Sequence, residues 1–319
     1  MKVLFILGNG FDINLGLPTR YQDFYDYYLK QHSETEQVER LKQHLKKERY
    51  STWADLELGL GSYTKNIDSI EDLELLIHNI TDHLREYLGE VMDSFSFSAK
   101  LSTRVFNGLA YPHLAFPGGV ARELESFMAK NGPRSVDVIS FNYTDVLERI
   151  IAFARPNEHM PIILGTDVFL ESIRHIHMTL SNMDIILGVN DETQIANESL
   201  RNEEGEMLLV KPCINQLLET RIDNECKALI RNSDLICFFG VSLGETDSIW
   251  WHLIGNHIEK TAARLICFFY DQTDVRYCSD QIRKQRECRT LLNQRLWGKE
   301  ASNFQDRIFI GYKVDVFKG

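Results

Sequence analysis

The chain has 319 residues, 44% of them hydrophobic and 25% charged, and a formal net charge of −11. That length supports one large domain whose core needs no covalent staples. The acidic balance argues against a general nucleic-acid binder, which needs a basic stripe, but leaves room for a small anionic ligand held by backbone N–H groups.

The six cysteines are Cys213, Cys226, Cys237, Cys267, Cys278 and Cys288. None forms a C-x-x-C pair, so no zinc ribbon is expected. Cys237 and Cys267 lie in apolar runs and read as buried thiols, which points to a reducing compartment. Met1–Leu7 is too short for a secretory segment, and no apolar run approaches the ~20 residues of a spanning helix. The expected location is the cytoplasm.

In chain order, Val3–Leu7 is a continuous apolar run closed by Gly8, the pattern of a buried parallel strand. It opens into Gly8-Asn9-Gly10-Phe11-Asp12. Two glycines there permit a tight turn and a close approach of backbone to a pyrophosphate. Ile13 replaces the third glycine of the dinucleotide fingerprint, so the loop alone is equally a plain strand-to-helix turn. Thr19 and Gln22 have the spacing of a capping box. Tyr21, Phe24, Tyr25, Tyr28 and Leu29 then follow a helical stripe.

Residues 20–130 are helical in pattern and poor in strands. They read as a helical insertion between the first and second strands, its end punctuated by Gly118-Gly119 and Asn131-Gly132-Pro133. Within it, Trp53-x-Asp55-Leu56-Glu57 predicts an amphipathic helix that buries Trp53 and Leu56. Glu57 is a candidate carboxylate partner for a cleft.

Val136–Phe141 is the next strand, followed by Asn142-Tyr143-Thr144-Asp145. The carboxyl end of a strand is where open α/β sheets place ligand contacts, although Asn and Thr also suit a helix N-cap. Further strands are expected at Pro161–Leu164, Ile173–Ile176 and Ile185–Val189. Alternation along His175-Ile176-His177 puts both histidines on one side. No third ligand follows at fixed spacing, so no metal is expected.

A helix carrying Leu217, Leu218, Ile222, Cys226, Leu229 and Ile230 joins Val210 to a strand at Leu235–Val241. Gly240-Val241-Ser242-Leu243-Gly244-Glu245-Thr246-Asp247 then leads into a helix that starts near Asp247 and runs through Trp250, Trp251 and His257. A helix start suits a phosphate or ribose hydroxyl. The same residues match G-x-S-x-G, the nucleophile elbow of α/β hydrolases. That reading fails on chain order, because only His252 and His257 follow Ser242, both within about three turns of the helix it starts. Leu265–Tyr270 and Ile308–Val316 complete the strands. Neither G-x-x-x-x-G-K-[ST] nor H-E-x-x-H occurs, which leaves a P-loop NTPase and a zincin unsupported. The economical architecture is a single α/β nucleotide-binding domain over 1–319, with the helical insertion at 20–130 inside it.

Gly8 to Thr19 as a whole resembles the glycine loop of sirtuins, with Gly16-Leu17-Pro18 standing where they carry G-I-P. It is closer still to the G-N-G-F-D…G-L-P-T opening of the AbiH family of bacteriophage abortive-infection proteins. Phe141-Asn142-Tyr143-Thr144 and the Trp53–Glu57 motif are similar to AbiH segments, and Gly240–Asp247 resembles a sirtuin-like one. The resemblance implies a Rossmann-like, mostly parallel sheet and a role in phage defence.

It further implies NAD as ligand or substrate, with NAD hydrolysis as the first reading. Asn142 would position water or the ribose, and His177 would be the general base. Gly8, Asn9 and Gly10 would hold the pyrophosphate, and Ser242 and Asp247 the adenosine side. Asp12 would cap the following turn or meet a ribose hydroxyl. Glu57, Tyr143 and His175 are accessory candidates. Met178 departs from the glycine that follows the histidine in sirtuin-like proteins.

The alternative is a nucleotide-binding sensor or partner subunit that does not cleave its ligand, and a nuclease is the weaker third. The implied partners are a nucleotide, a phage or defence-system protein and a second copy of the chain, with no membrane and no nucleic acid. Without paired C-x-x-C motifs, protein deacylation is not expected.

Overall fold

Alternation along β1 (Lys2–Leu7) decides where the core goes. Val3, Phe5 and Leu7 face one layer, Leu4 and Ile6 the other, and all five are buried. A strand apolar on both sides needs cover on both faces, the condition under which parallel sheets form. The computed structural model describes residues 1–48, 53–129, 132–155, 162–181, 185–269, 277–299, 303–312 and 316–317. It meets that condition with a seven-stranded sheet.

The other strands are β2 (Arg134–Ser140), β3 (Ile162–Gly165), β4 (Val168–His175), β5 (Leu235–Phe239), β6 (Arg264–Phe269) and β7 (Ile308–Tyr312). The order is β3-β4-β2-β1-β5-β6-β7. Every neighbouring pair is parallel except β3 with β4, which puts one antiparallel strand at the edge. Counted among themselves, the six parallel strands run 3-2-1-4-5-6, the doubly wound order. Its direction reverses between β1 and β5.

Among the described residues, seven α-helices separate β1 from β2: α1 (Gly10–Asn14), α2 (Tyr21–Tyr28), α3 (Glu36–Glu48), α4 (Leu56–Tyr63), α5 (Ile70–Ser94), α6 (Ala99–Ala110) and α7 (Gly118–Ala129). Then come α8 (Val146–Ala154), α9 (Glu203–Leu209), α10 (Lys211–Leu217), α11 (Ile222–Asn232), α12 (Ser248–Lys260) and α13 (Cys278–Trp297). Leu101, Leu124 and Ile150 bring α6, α7 and α8 onto one face of the sheet. Ile230, Ile254 and Leu292 bring α11, α12 and α13 onto the other.

The segment from 20 to 130 is helical, with no strand among its described residues, but it has two parts. α6 and α7 cover the sheet, whereas α2 to α5 build a separate core around Phe24, Tyr25, Trp53 and Leu84. That second core also takes in Ile185, Leu187 and Val189. These residues are apolar for that reason. Instead of the expected strand they make one isolated bridge, Val189 to Val210.

Other expectations change in detail. The run from Leu217 to Ile230 is two helices, because Glu219 and Arg221 take left-handed φ of 49° and 55° and break it. Gly118-Gly119 opens α7 instead of closing a segment. Thr19 makes no capping box. Its hydroxyl donates to Asn9 Oδ1, and Asp23 accepts from the Arg20 N–H at 3.1 Å. β4 begins at Val168, earlier than the Ile173–Ile176 run suggests, and ends at His175. Residues 131, 161, 270 and 313–315, on which parts of the strand and turn predictions fall, lie outside the described residues.

Candidate functional site

The reversal of strand order leaves a crevice beyond the carboxyl ends of β1 and β5, the position where doubly wound sheets take ligands. Its floor is held by glycine. Gly8 donates to Phe239 O at 3.0 Å and Gly10 to Gly240 O at 2.9 Å. A Cβ on Gly10 would lie 2.4 Å from Gly240 Cα, and one on Gly240 would lie 2.4 Å from the Phe11 nitrogen. The glycines therefore let two loops touch backbone to backbone. Asn9 closes the loop on its other side, its amide bonding both to the Thr19 carbonyl and to the Thr19 hydroxyl.

Above this floor is a cavity of about 140 Å³. Gly8, Asn9 and Asp12 enter its wall after β1, Phe141 to Thr144 after β2, and Gly240 to Ser242 after β5. His177 comes from beyond β4, and Thr246, Asp247 and Trp251 from the start of α12. The roof is the second core: Tyr21 and Phe24 of α2, Asp55 and Glu57 at the start of α4, Leu84 and Leu88 of α5. Among the described residues, neither lysine nor arginine lines this wall.

Most residues singled out in the sequence meet here: Gly8, Asn9, Asp12, Glu57, Asn142, Tyr143, His177, Ser242 and Asp247. Two do not. Gly10 stands behind the wall with its N–H committed to Gly240. His175 faces a different cavity, of about 400 Å³. Its Nδ1 and Nε2 lie 3.1 Å from Asn142 O and 2.7 Å from Glu148 Oε1. The two histidines part because β4 ends at His175 and Met178 turns with a φ of 61°. Asn142 is not an N-cap; that place before α8 belongs to Asp145. His257, one of the two histidines after Ser242, is spent on the Ser233 carbonyl at 2.8 Å.

Asp12 neither caps its turn nor stands free. It accepts from Asn142 Nδ2 at 2.7 Å and from the Thr144 hydroxyl. Burial pushes its carboxyl up to about 7, more than those two bonds hold it down. Its ionisation in the folded chain is thus unfavourable. The carboxyl stabilises the fold most below 3.8, the ordinary value, and that contribution falls as pH rises toward 7. Wild type and Asp12→Asn, compared by urea unfolding from pH 4 to 7, should diverge by on the order of 1 kcal/mol per pH unit, with wild type declining. Parallel profiles would show that Asp12 is ionised in the fold.

A second set of charges involves two other carboxylates of the wall, Glu57 and Asp247. Lys211, at the first turn of α10, places Nζ 2.8 Å from Glu57 Oε2 and 2.8 Å from Asp247 Oδ1. Glu57 Oε1 also accepts from the Tyr143 hydroxyl at 2.9 Å. Burial alone would raise Asp247, but Lys211 and then His177 outweigh it and hold the carboxyl well below its usual range. Burial likewise opposes the Lys211 charge, and Asp247 and Glu57 together raise its pKa. His177 Nε2 is 3.1 Å from Asp247 Oδ1 but off the line of a hydrogen bond, so it is close to the charge without a directed partner. Asn142 Oδ1 is likewise buried and unpartnered.

Lys211 carries no sequence signal that singles it out, whereas Asp55 and Thr144, which also line the cavity, stand inside the Trp53–Glu57 and Phe141–Thr144 motifs. A lysine before proline in Val210-Lys211-Pro212 reads as an ordinary helix start.

The fold and cavity together define a doubly wound α/β protein with a cavity at the switch point of its sheet, roofed by helices inserted after β1. A family model described as "Bacteriophage abortive infection AbiH" matches residues 4–270, and the chain belongs to that family. A search of curated proteins returned no match. Among the described residues, no helix is long and apolar enough to cross a membrane.

Proposed function

We propose that the chain serves abortive infection by binding NAD in a sirtuin-like manner and hydrolysing its nicotinamide–ribose bond. The observation that carries this reading is the meeting of Asn142 and His177 at one cavity, with Asn142 Oδ1 buried and unpartnered and His177 Nε2 buried 3.1 Å from the Asp247 carboxylate. The doubly wound strand order and the position of the cavity support it.

The chemistry asks for little. The C1′–N1 bond breaks with its electron pair leaving on nicotinamide, which departs neutral and needs no acid. Positive charge develops on the ribose, as in glycoside cleavage. A water oxygen bonds to C1′ and gives its proton to a base. Asn142 orients that water or the ribose hydroxyls. The proton goes to His177, whose ring is neutral when one nitrogen carries hydrogen and the other a lone pair. Asp247, which the resemblance gives to the adenosine side, stands instead beside His177 and, held ionised by Lys211, stabilises the imidazolium that forms. The products are nicotinamide, ADP-ribose and a proton.

A cavity of about 140 Å³ is small beside the roughly 300–1,000 Å³ of ordinary ligand pockets. It suits the ribosyl end of a dinucleotide, with the adenosine half outside along Ser242.

The test is nicotinamide release by purified protein, with NAD levels followed in phage-challenged cells. Asn142→Ala and His177→Ala should each lower turnover by about a hundredfold or more while keeping the native circular dichroism spectrum. Turnover within a few-fold of wild type in both variants would remove them from the chemistry. Steady NAD in infected cells, combined with thermal stabilisation of the protein by NAD, would leave a sensor that binds without cleaving.

A further inference from the structure

Among the described residues, four carboxyl groups, Asp12, Asp55, Glu57 and Asp247, line the cavity, and no lysine or arginine does. Glu57 and Asp247 have Lys211 behind them, already shared between the two. Among the described residues, neither Asp12 nor Asp55 pairs with a lysine or arginine. Aromatic rings fill much of the remaining wall: Tyr21, Phe24, Phe141, Tyr143 and Trp251. Carboxylates repel phosphate, and aromatic faces with carboxylates attract organic cations. Independently of this charge, Asn142 Oδ1 is buried in the same wall without a partner, an acceptor left open to a donor.

We propose that the cavity selects a single-ring organic cation, a quaternary pyridinium carried on ribose, and keeps any attached phosphates outside. The choice of pyridinium rests on the hydrolytic reading; the preference for a cation over an anion does not. The glycine loop agrees, since its Gly10 N–H is committed to Gly240 and the Asn9 amide to Thr19.

A cation entering this wall meets carboxyl groups that are partly protonated. Burial raises Asp55 to about 6, with Glu57 and Asp247 adding to the rise and Lys211 opposing it. Asp12, at about 7, faces Asn142, Thr144, His175 and Glu148. His177 lies on the same wall. A cation favours the ionised carboxyls, so its binding expels protons and tightens as pH rises through 6 to 7.

The probe is 1-methylnicotinamide, a permanent pyridinium, titrated calorimetrically into the full chain against neutral nicotinamide. The cation should bind at least about tenfold more tightly at pH 8 and lose about tenfold in affinity by pH 5. Inorganic pyrophosphate should not displace it. Asp55→Asn should weaken the cation several-fold and flatten part of the pH dependence while still capping α4, since Asn is as good an N-cap as Asp. Equal affinity for the two probes, affinity that falls as pH rises, displacement by pyrophosphate, or no binding of the cation would each overturn the proposal. Selection of the cation without any NAD cleavage would overturn the hydrolytic reading alone, and NAD cleavage without cation preference would overturn this one alone.

Discussion

Replacing Lys211 with methionine is expected to cost about 3–5 kcal/mol, because it strands Glu57 and Asp247 in the interior without their shared counter-ion. Both oxygens now sit 2.8 Å from the ammonium, and side-chain exposure is 5% for Lys211 and 5% for Glu57. The pH dependence has a definite sign. The Asp247 carboxyl is depressed in the fold, so its contribution is present above the ordinary 3.8 and lost as pH falls below that value. The Lys211 ammonium is raised, so its contribution is present below the ordinary 10.5 and lost only as pH climbs beyond it. The penalty of Lys211→Met should therefore be full at pH 7 and smaller at pH 3, where Asp247 in the variant takes up a proton. Urea midpoints at the two pH values measure it. Adding Glu57→Gln to the variant should recover part of the loss, because a neutral amide costs less to bury than an unpaired carboxylate. A loss under about 1 kcal/mol at pH 7 would mean that water reaches the pair and screens it.

Gly240→Ala is expected to cost at least about 4 kcal/mol, placing it among the rare severe substitutions. Two penalties add. Gly240 sits at a φ of 71°, which carries a cost for any residue with a Cβ. That Cβ would also stand 2.4 Å from the Phe11 nitrogen and 2.6 Å from the Gly10 carbonyl carbon, backbone atoms fixed by β1. Gly16→Ala separates the penalties. Its φ is 95°, yet nothing lies within 4 Å of the added carbon, so only the dihedral cost of about 1–2 kcal/mol applies. Thermal midpoints for the two variants should differ widely, and similar midpoints would show that the β1 and β5 loops can move apart. The same packing makes Gly10→Val a folding defect, not a probe of ligand binding. Its side chain would drive into Gly240 and harm folding before it touched a ligand.

Much of the site could be read in the sequence because its parts are local. Gly8 to Thr19, Asn142 to Thr144 and Ser242 to Asp247 each follow a strand, and strands of a doubly wound sheet end on one side. The topology then brings them together without long-range information. Lys211 is different, since its partners are 154 and 36 positions away and a single lysine has no periodicity. The Ile185–Val189 run misleads because burial against the helical roof and burial in a sheet demand the same side chains. The break near Glu219 and Arg221 was hidden because neither residue is the glycine that a left-handed turn favours. Both histidines were visible, but alternation holds only while a strand lasts, and β4 stops between them.

The span between Glu57 and Lys211 also sets a timetable. During synthesis the chain grows at roughly 5–20 residues per second, so a carboxylate that precedes its counter-ion by 154 positions waits about ten to thirty seconds. A chain stopped between Asn142 and Lys211 has Gly8, Gly10 and Asn142 but neither the Gly240 that completes the floor nor Lys211 nor the Asp247 carboxylate beside His177. Incomplete copies would therefore be born without a finished cavity, because the part of its wall from Ser242 to Trp251 arrives only with the last quarter of the chain.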